Sequence, residues 1–189
     1  GSGSEIITAL ETREQMIVFT DVSLHAMQFL GPPFTYGIGL ISENITIVSP
    51  LAAKAANDFV FWMGVEDFYV YDGRVQKLPC AIKSYIFNDM NLYQKEKIFA
   101  ALNSSFNEVW WFYPSADSDS NDRYVIYNHV DQAWSYGSMA RSAWLDRGIT
   151  NYPLAAGLDN YLYEHENGLD DGSTAPASAI TSYVESSQL

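Results

Sequence analysis

"EVWWFYPSADSDSNDRYVIYNHVDQAWSYG", residues 108–137, alternates aromatic runs with a polar, turn-rich segment. Four aromatic residues occupy 110–113, small and acidic residues follow at 115–122, and the aromatic pattern resumes at Tyr124. Aromatic and β-branched runs bounded by Asp, Asn and Ser are typical of strands joined by turns. The stretch therefore predicts antiparallel strands over 108–114, 123–130 and 133–139.

The same strand–turn–strand pattern occurs four times along the chain, in segments that begin at residues 16, 59, 108 and 153. Aligning the segments gives spacings of 42, 49 and 45 residues between four anchors, Val18, Val60, Val109 and Leu154. Propeller blades of four strands repeat at intervals of about 40–50 residues. The sequence therefore predicts an all-β, β-propeller-like fold of about four blades of antiparallel strands.

The repeat also suggests how the chain is divided. Residues 1–4, GSGS, have the composition of a cloning remnant, and the propeller region is expected to span 5–189. The expected blades lie at about 5–42, 43–87, 97–141 and 142–189, and a helical or irregular insertion at 88–96 accounts for the longest spacing. We expect at most one short helix, near 88–97. The small residues of 97–103 favour the innermost position in the third blade.

Composition and charge restrict the classes of function. The chain is 48% hydrophobic and 15% aromatic, and its formal net charge is −13. Such a balance disfavours binding to the phosphates of nucleic acids or of anionic membranes. The candidates for a basic patch are few and have acidic neighbours: Lys95, Lys97, Arg141 and Arg147. We therefore expect no specific nucleic-acid binding.

Residues 22–42 contain no charged side chain other than His25 and are long enough to cross a bilayer. The pair Pro32-Pro33, together with Gln28 and Gly37, argues against a membrane-spanning helix. We expect strands in this segment and no membrane insertion.

The aromatic side chains admit two interpretations. Each blade of a propeller faces a neighbour on both sides, so large rings at alternate strand positions are needed for packing between blades. The alternative is a carbohydrate-stacking surface formed by exposed members of 110–113 or by Trp134 and Trp144. Burial between blades favours the first interpretation, and two or more rings at one end of the channel beside carboxylates favour the second.

The remaining candidates for chemistry are weak. Asp117, Asp119 and Asn121 alternate as in the first half of a calcium loop, but the later Gly and bidentate Glu are missing. His129 and His165 occupy matching places in the repeat, which explains them without catalysis. The lone thiol of Cys80 has no neighbour in sequence that would activate it. We expect no catalytic residue, no metal and no cofactor.

The residues also resemble a known family. The ordered phrases WMG (62–64), YDG (71–73), LPC (78–80) and NEVWW (107–111), within a likeness that runs from about residue 15 to the end, resemble tail hub or nozzle proteins of short-tailed bacteriophages, also called phage stabilisation proteins. Those proteins are longer, so the resemblance implies that this chain is a fragment and that its propeller belongs to a larger one.

The resemblance implies a non-enzymatic component of the virion. It implies a propeller in the phage tail, assembled in the full-length protein as a homo-oligomeric ring around the DNA exit channel and in contact with neighbouring tail proteins. An acidic protein suits a duct that must not retain DNA. The alternative function is a glycan-binding or glycan-cleaving propeller, such as a module that recognises a host receptor.

Overall fold

The computed structural model describes residues 5–170, 176 and 179, and the strands in this part of the chain form four antiparallel sheets. Sheet 1 consists of β1 (Ile6–Glu11), β2 (Met16–Thr20), β3 (Ser23–Phe29) and β4 (Tyr36–Glu43). Sheet 2 consists of β5 (Ala53–Ala56), β6 (Phe59–Met63), β7 (Phe68–Tyr71) and β8 (Val75–Lys77). Sheet 3 consists of β9 (Phe99–Asn103), β10 (Glu108–Tyr113), β11 (Arg123–Asn128) and β12 (Ala133–Ser138). Sheet 4 consists of β13 (Arg141–Leu145), β14 (Leu154–Gly157) and β15 (Leu162–Glu164).

Within every sheet, strands that follow one another in sequence are hydrogen-bonded neighbours. The first strands of successive sheets lie side by side: β1 next to β5, β5 next to β9 and β9 next to β13. A parallel bridge joins Leu51 to Phe99, and the Ala100 N–H donates to the Leu51 carbonyl at 2.8 Å. Four sheets therefore succeed one another around their first strands, which is the arrangement of a β-propeller, as predicted.

The four predicted hairpins are confirmed, as β2–β3, β6–β7, β10–β11 and β14–β15. Asparagines at tight turns accept the left-handed backbone conformation that these connections need, with φ of 55° at Asn57, 59° at Asn107 and 69° at Asn160. Residues 22–42 contribute strands, as expected. Residues 1–4 and most of residues 171–189, at the end of the fourth predicted blade, lie outside the described residues.

The helical prediction needs correction. A short helix, α1 (Lys83–Asn88), begins before the predicted insertion, and a 3₁₀ segment follows at Leu92–Lys97. Another 3₁₀ turn occupies Ser104–Phe106. The insertion starts early because β8 is only three residues long and ends at Lys77. The residues after it cover one end of the core: Ile86, Met90 and Ile98 are buried against sheets 2 and 3.

The anchor in the last repeat was wrong by one residue. Val60 and Val109 face the preceding sheet, but in sheet 4 this position belongs to Ala155, which pairs with Trp144 and is buried. Successive side chains of a strand point to opposite faces, so Leu154 faces away from sheet 3. Loops differ in length between the repeats, and sequence alignment alone could not fix the strand register.

The core consists of three clusters, one for each junction between successive sheets. Ile17, Phe19 and Leu24 of sheet 1 pack against Val60 and Trp62 of sheet 2. The other face of sheet 2 packs on sheet 3, and sheet 3 in turn packs on Trp144 of sheet 4. The two inner sheets are thus buried on both faces, which explains their nearly continuous apolar strands.

Candidate functional site

The junction between sheets 2 and 3 holds the first aromatic group of the sequence. Trp111 is fully buried, and its Nε1–H donates to the Ala52 carbonyl at 3.0 Å. Its ring centroid lies 5.0 Å from that of Phe68, which lies 4.7 Å from that of Trp134. These rings face one another across the two sheets, and the Trp111 ring is not available to a ligand.

The next junction, between sheets 3 and 4, holds the second group. Trp110 is 6% exposed and stacks on Trp144 at 5.3 Å and on Tyr124 at 4.9 Å. The Nε1–H of Trp144 donates to the Leu102 carbonyl at 2.8 Å. Phe112 and Tyr113 are fully buried. The prediction that these aromatic residues form core is confirmed, and none of residues 110–113 forms an exposed stacking surface.

Two carboxylates meet at the end of β9, in a site that the sequence did not reveal. The Nδ2 of Asn103 donates to Glu108 Oε2 at 3.3 Å and to Glu166 Oε1 at 3.1 Å, so these oxygens lie no more than about 6.4 Å apart. The Trp110 Nε1–H also donates to Glu108, at 2.9 Å. Nearby, Asp146 accepts a hydrogen bond from the backbone N–H of Ser104. We call Asn103, Glu108 and Glu166 the carboxylate site.

Burial controls the electrostatics of the carboxylate site. Desolvation raises the pKa of Glu108, the charge of Glu166 raises it further, and the hydrogen bonds from Trp110 and Asn103 oppose the rise. Asn103 itself is fully buried, and its Oδ1 has no hydrogen-bond partner. The site therefore combines one partly buried carboxylate that holds a proton more tightly than usual with a second, exposed carboxylate. Such a pair has the chemical groups for acid–base chemistry. Glu108 and Glu166 are 58 positions apart in the chain, and nothing in the sequence indicated that they meet.

The predicted calcium-like loop is held by protein groups. Asp122 accepts hydrogen bonds from the N–H and hydroxyl of Ser115, both at 2.8 Å. Asn121 donates to the Lys97 carbonyl at 2.6 Å, and Asp119 accepts from Gln94 at 3.3 Å. The loop thus packs against the 3₁₀ segment at 92–97. Within the described ranges, no three His, Cys, Asp or Glu side chains are placed to hold a metal ion.

The histidines lie in three different settings. His25 is within 2.9 Å of the Ser23 hydroxyl. His129 stacks on Phe61 at 5.7 Å, and burial lowers its pKa. His165 accepts a hydrogen bond from Arg141 Nε at 3.0 Å and lies 4.7 Å from the Trp144 ring. Burial, with a smaller contribution from Arg141, lowers the pKa of His165 to about 4. His129 and His165 each follow the third strand of their sheet, and each packs on one ring of another sheet or strand, Phe61 and Trp144 respectively.

The remaining predicted residues are dispersed. Cys80 is partly buried, and desolvation raises the pKa of its thiol, which disfavours the reactive thiolate. Arg141 lies over the Tyr163 ring at 4.2 Å, and Lys97 donates to the Asp119 carbonyl. Both cations are thereby engaged within the chain.

One aromatic cleft remains open to solvent. It has a volume of about 240 Å³, lies between sheets 2 and 3, and is lined by Phe59, Phe61, Tyr127 and His129 among others. Phe59 is 41% exposed. No Asp or Glu is among the residues that line this cleft, so rings and carboxylates do not meet there. No helix in the described part of the chain is long and apolar enough to cross a membrane.

Comparison with known proteins supports the fold alone. No family model matches the chain, and no curated protein matches it in sequence. A protein proposed to be a 6-phosphogluconolactonase from Bacteroides uniformis ATCC 8492 is similar in structure, with a TM-score of 0.52 at 10% identity, over 87% of this chain and 54% of that one. Hsv2 of Kluyvelomyces marxianus matches with a TM-score of 0.49 at 12% identity, over 96% of this chain and 54% of that one. The N-terminal domain of Nup159 matches with a TM-score of 0.43 at 8% identity, over 94% of this chain and 65% of that one. The chain thus spans between about half and two thirds of the solved structures that it matches.

Proposed function

We propose that this chain is part of a non-enzymatic structural protein of a short-tailed bacteriophage, a tail hub, nozzle or head-to-tail stabilisation protein that belongs to the virion. In this proposal the full-length protein forms a homo-oligomeric ring around the DNA exit channel and contacts neighbouring tail proteins. The proposal rests on the resemblance in sequence. The observation that supports it most is the burial of Trp110, Trp111 and their neighbours between the sheets, which makes them parts of a scaffold.

The charge of the chain fits this role. A channel for DNA must not hold the phosphates, and cationic side chains that bind them release counterions and gain affinity. The chain has 23 acidic and 10 basic residues, and Lys97 and Arg141 are engaged with protein groups. The duct would therefore repel DNA.

Electron microscopy of the full-length protein that contains this region tests the proposal directly. We expect rings with a central channel, located in the tail when the virion is imaged with a label on this region. A full-length protein that stays monomeric and is absent from purified virions would contradict the proposal.

DNA titration tests the channel property on the chain itself. At about 50 mM salt we expect no binding of a labelled duplex at micromolar protein, because the electrostatic attraction that drives non-specific binding is absent. Glu96→Lys places three lysines in a row at 95–97 and serves as a positive control, which should bind weakly and lose binding as salt is added. Salt-sensitive micromolar binding by the unaltered chain would contradict the proposal that it lines a channel that does not retain DNA.

The carboxylate site favours a second candidate, a glycan-cleaving propeller. Retaining glycosidases use two carboxylates about 5–5.5 Å apart, one of which has a raised pKa. Oxygens of Glu108 and Glu166 lie no more than about 6.4 Å apart, and the pKa of Glu108 is raised, so the pair comes near to both conditions. In this candidate, Glu108→Gln would abolish turnover of a bacterial surface glycan, and Glu96→Gln, on the exposed 3₁₀ segment, would leave it unchanged. Absence of turnover by the unaltered chain on a panel of surface glycans would remove the candidate.

A further inference from the structure

The face of sheet 1 that points away from sheet 2 is apolar and exposed. Its side chains come from alternate positions on strands β2, β3 and β4, and several are more than half exposed: Phe29 (67%), Tyr36 (61%), Ile38 (70%) and Leu40 (52%). Met16 and Met27 lie beside Ile38 in one row across the strands. We call this surface the leading face of sheet 1. A contiguous exposed apolar face on a terminal sheet is typical of an interaction site.

Strand pairing shows what kind of contact the leading face is built for. In sheet 2, Val60, Tyr71 and Val75 lie opposite one another across three strands, and in sheet 3 the same row is Val109, Tyr127 and Trp134. The first two residues of each row are buried, and in sheets 2 and 3 these rows face the preceding sheet.

The equivalent row in sheet 1 is Val18, His25 and Leu40. Its position in the strand register is the same, and Val18 is the repeat equivalent of Val60 and Val109. In sheets 2 and 3, this row is the surface that packs against the preceding sheet. The leading face of sheet 1 therefore continues a kind of interface that the chain already forms at its internal junctions.

Sheet 4 carries the complementary surface. Trp144, Ala155 and Tyr163 form one row, of which Trp144 and the buried Ala155 are on the side of sheet 3, so the alternate residues point the other way. Five of those six residues are apolar, and the sixth, at the end of its strand, is Glu164: the apolar ones are Ala143, Leu145, Leu154, Ala156 and Leu162. Leu145 is 62% exposed and Leu162 is 76% exposed. We call this surface the trailing face of sheet 4.

We propose that the leading face of sheet 1 packs against the trailing face of sheet 4 of a second copy of this chain. One chain carries both halves of the junction, and each half repeats a surface that the chain uses internally. The described residues of each copy form four sheets, so two copies give eight, which is within the range of four to eight blades that closed propellers adopt. A head-to-tail contact of this kind closes into a ring when the rotation between copies permits it. The inference does not depend on a role in the virion.

Sedimentation equilibrium of the 189-residue chain at micromolar concentration tests the pairing. We expect a two-copy complex for the unaltered chain. Ile38→Lys on the leading face and Leu162→Lys on the trailing face should each give a monomer, because a charge would be buried at both junctions of the ring. Val130→Lys, in the turn between β11 and β12, is the matched control: Val130 is 63% exposed and lies on neither face, so this variant should remain a two-copy complex.

Mixing the two monomeric variants identifies the head-to-tail arrangement. A pair that contains one Ile38→Lys chain and one Leu162→Lys chain retains one unaltered junction, because the first chain keeps its trailing face and the second its leading face. We expect two-copy complexes to reappear in the mixture, with weaker association than in the unaltered chain. Circular dichroism of each variant checks that the strands are intact, and Leu40→Glu replaces Ile38→Lys if that variant unfolds.

Three outcomes would overturn the proposal. The first is an unaltered chain that stays monomeric at tens of micromolar. The second is dissociation by Ile38→Lys but not by Leu162→Lys, which would mean that two leading faces pair with each other. The third is a mixture of the two variants that remains monomeric.

Discussion

The two aromatic junctions of sheet 3 differ in what they contain besides rings. The junction with sheet 2 is apolar around Trp111, Phe68 and Val125, and its buried indole N–H donates to a backbone carbonyl. The junction with sheet 4 also contains stacked rings, but it includes the Arg141–His165 hydrogen bond and the carboxylate site.

Sheet 3 therefore packs through two junctions of different chemistry. At the first junction, the packing of Trp111, Phe68 and Val125 contributes stability that is insensitive to pH, because these side chains do not titrate. His129, at the open cleft of the same junction, does titrate, and burial lowers its pKa. At the second junction, buried polar groups are stable only while each has its partner in the right protonation state. We therefore expect the junction of sheets 3 and 4 to respond to pH and to loss of single polar groups.

The largest effect is expected at the junction of sheets 2 and 3. Trp111→Ala should lower the free energy of unfolding by about 3–5 kcal/mol, because it removes a fully buried ring and leaves a cavity. Urea denaturation followed by circular dichroism measures the loss. Tyr93→Ala, at a fully exposed ring, is the control and should change stability by less than about 0.5 kcal/mol. Equal losses in the two variants would contradict the assignment of Trp111 to the core.

The second effect is a pH dependence at His165. Its pKa of about 4 in the folded chain is below the value of 6.5 for a free histidine. As pH falls from 6.5 to about 4, the unfolded chain takes up a proton that the folded chain does not, so His165 makes stability fall in this window and adds no slope below it. A protonated His165 also could not accept the hydrogen bond from Arg141.

His165→Gln keeps a hydrogen-bond acceptor and removes the titration. Between pH 7 and pH 4 the unaltered chain should lose about 1–2 kcal/mol more stability than this variant, a figure reduced for solvent screening at a half-buried side chain. The raised pKa of Glu108 acts in the opposite direction but is common to both proteins, so the difference between their urea curves isolates His165. Parallel pH profiles would show that His165 titrates normally.

The third effect concerns the amide that joins the two carboxylates. Asn103→Ala should cost about 1–3 kcal/mol, because Glu108 and Glu166 lose their shared donor in a partly buried setting. Asn167→Ala is the matched control, since Asn167 also donates to a glutamate, Glu164, but at an exposed site. Thermal unfolding of both variants checks the contrast, and similar melting temperatures would mean that the carboxylate site contributes little.

The smallest effect is expected at the ion pairs that hold α1 over the junction of sheets 2 and 3. Asp67 accepts from Lys77 and Lys83, both at 2.6 Å, and these bonds lower its pKa. Asp67→Asn should cost about 1 kcal/mol at pH 7, because both lysines are substantially exposed and screened. The contribution is present above pH 3.8 and is lost as pH falls through the lowered pKa of Asp67.

Asp58→Asn is the control for this prediction. Asp58 lies 3.8 Å from Arg13, and both side chains are about 70% exposed, so its loss should be hardly measurable. Equal effects of the two substitutions in urea denaturation would show that α1 does not depend on Asp67.

Local sequence pattern was sufficient to predict the four hairpins and the order of the strands in sheet 3. Alternating aromatic and β-branched residues, with Asp, Asn and Ser between them, define the hairpins at 108–128 and 59–71, and a hairpin depends mainly on residues close together in the chain. The burial of 110–113 also followed from the pattern, because runs without polar residues fit only a sheet covered on both faces. The early start of the helical insertion did not follow, since it depends on where β8 ends.

Contacts between distant residues required the tertiary structure. Asn103, Glu108 and Glu166 form a site because the chain that follows β15 of sheet 4 lies beside the end of β9. No spacing in the sequence indicates this contact. The one-residue difference between Leu154 and Ala155 likewise decides which face of sheet 4 is buried, and a strand shows its register only when paired. The sequence by itself therefore determined the repeated sheets, while the carboxylate site and the two exposed end faces were decided by how those sheets are placed around a common axis.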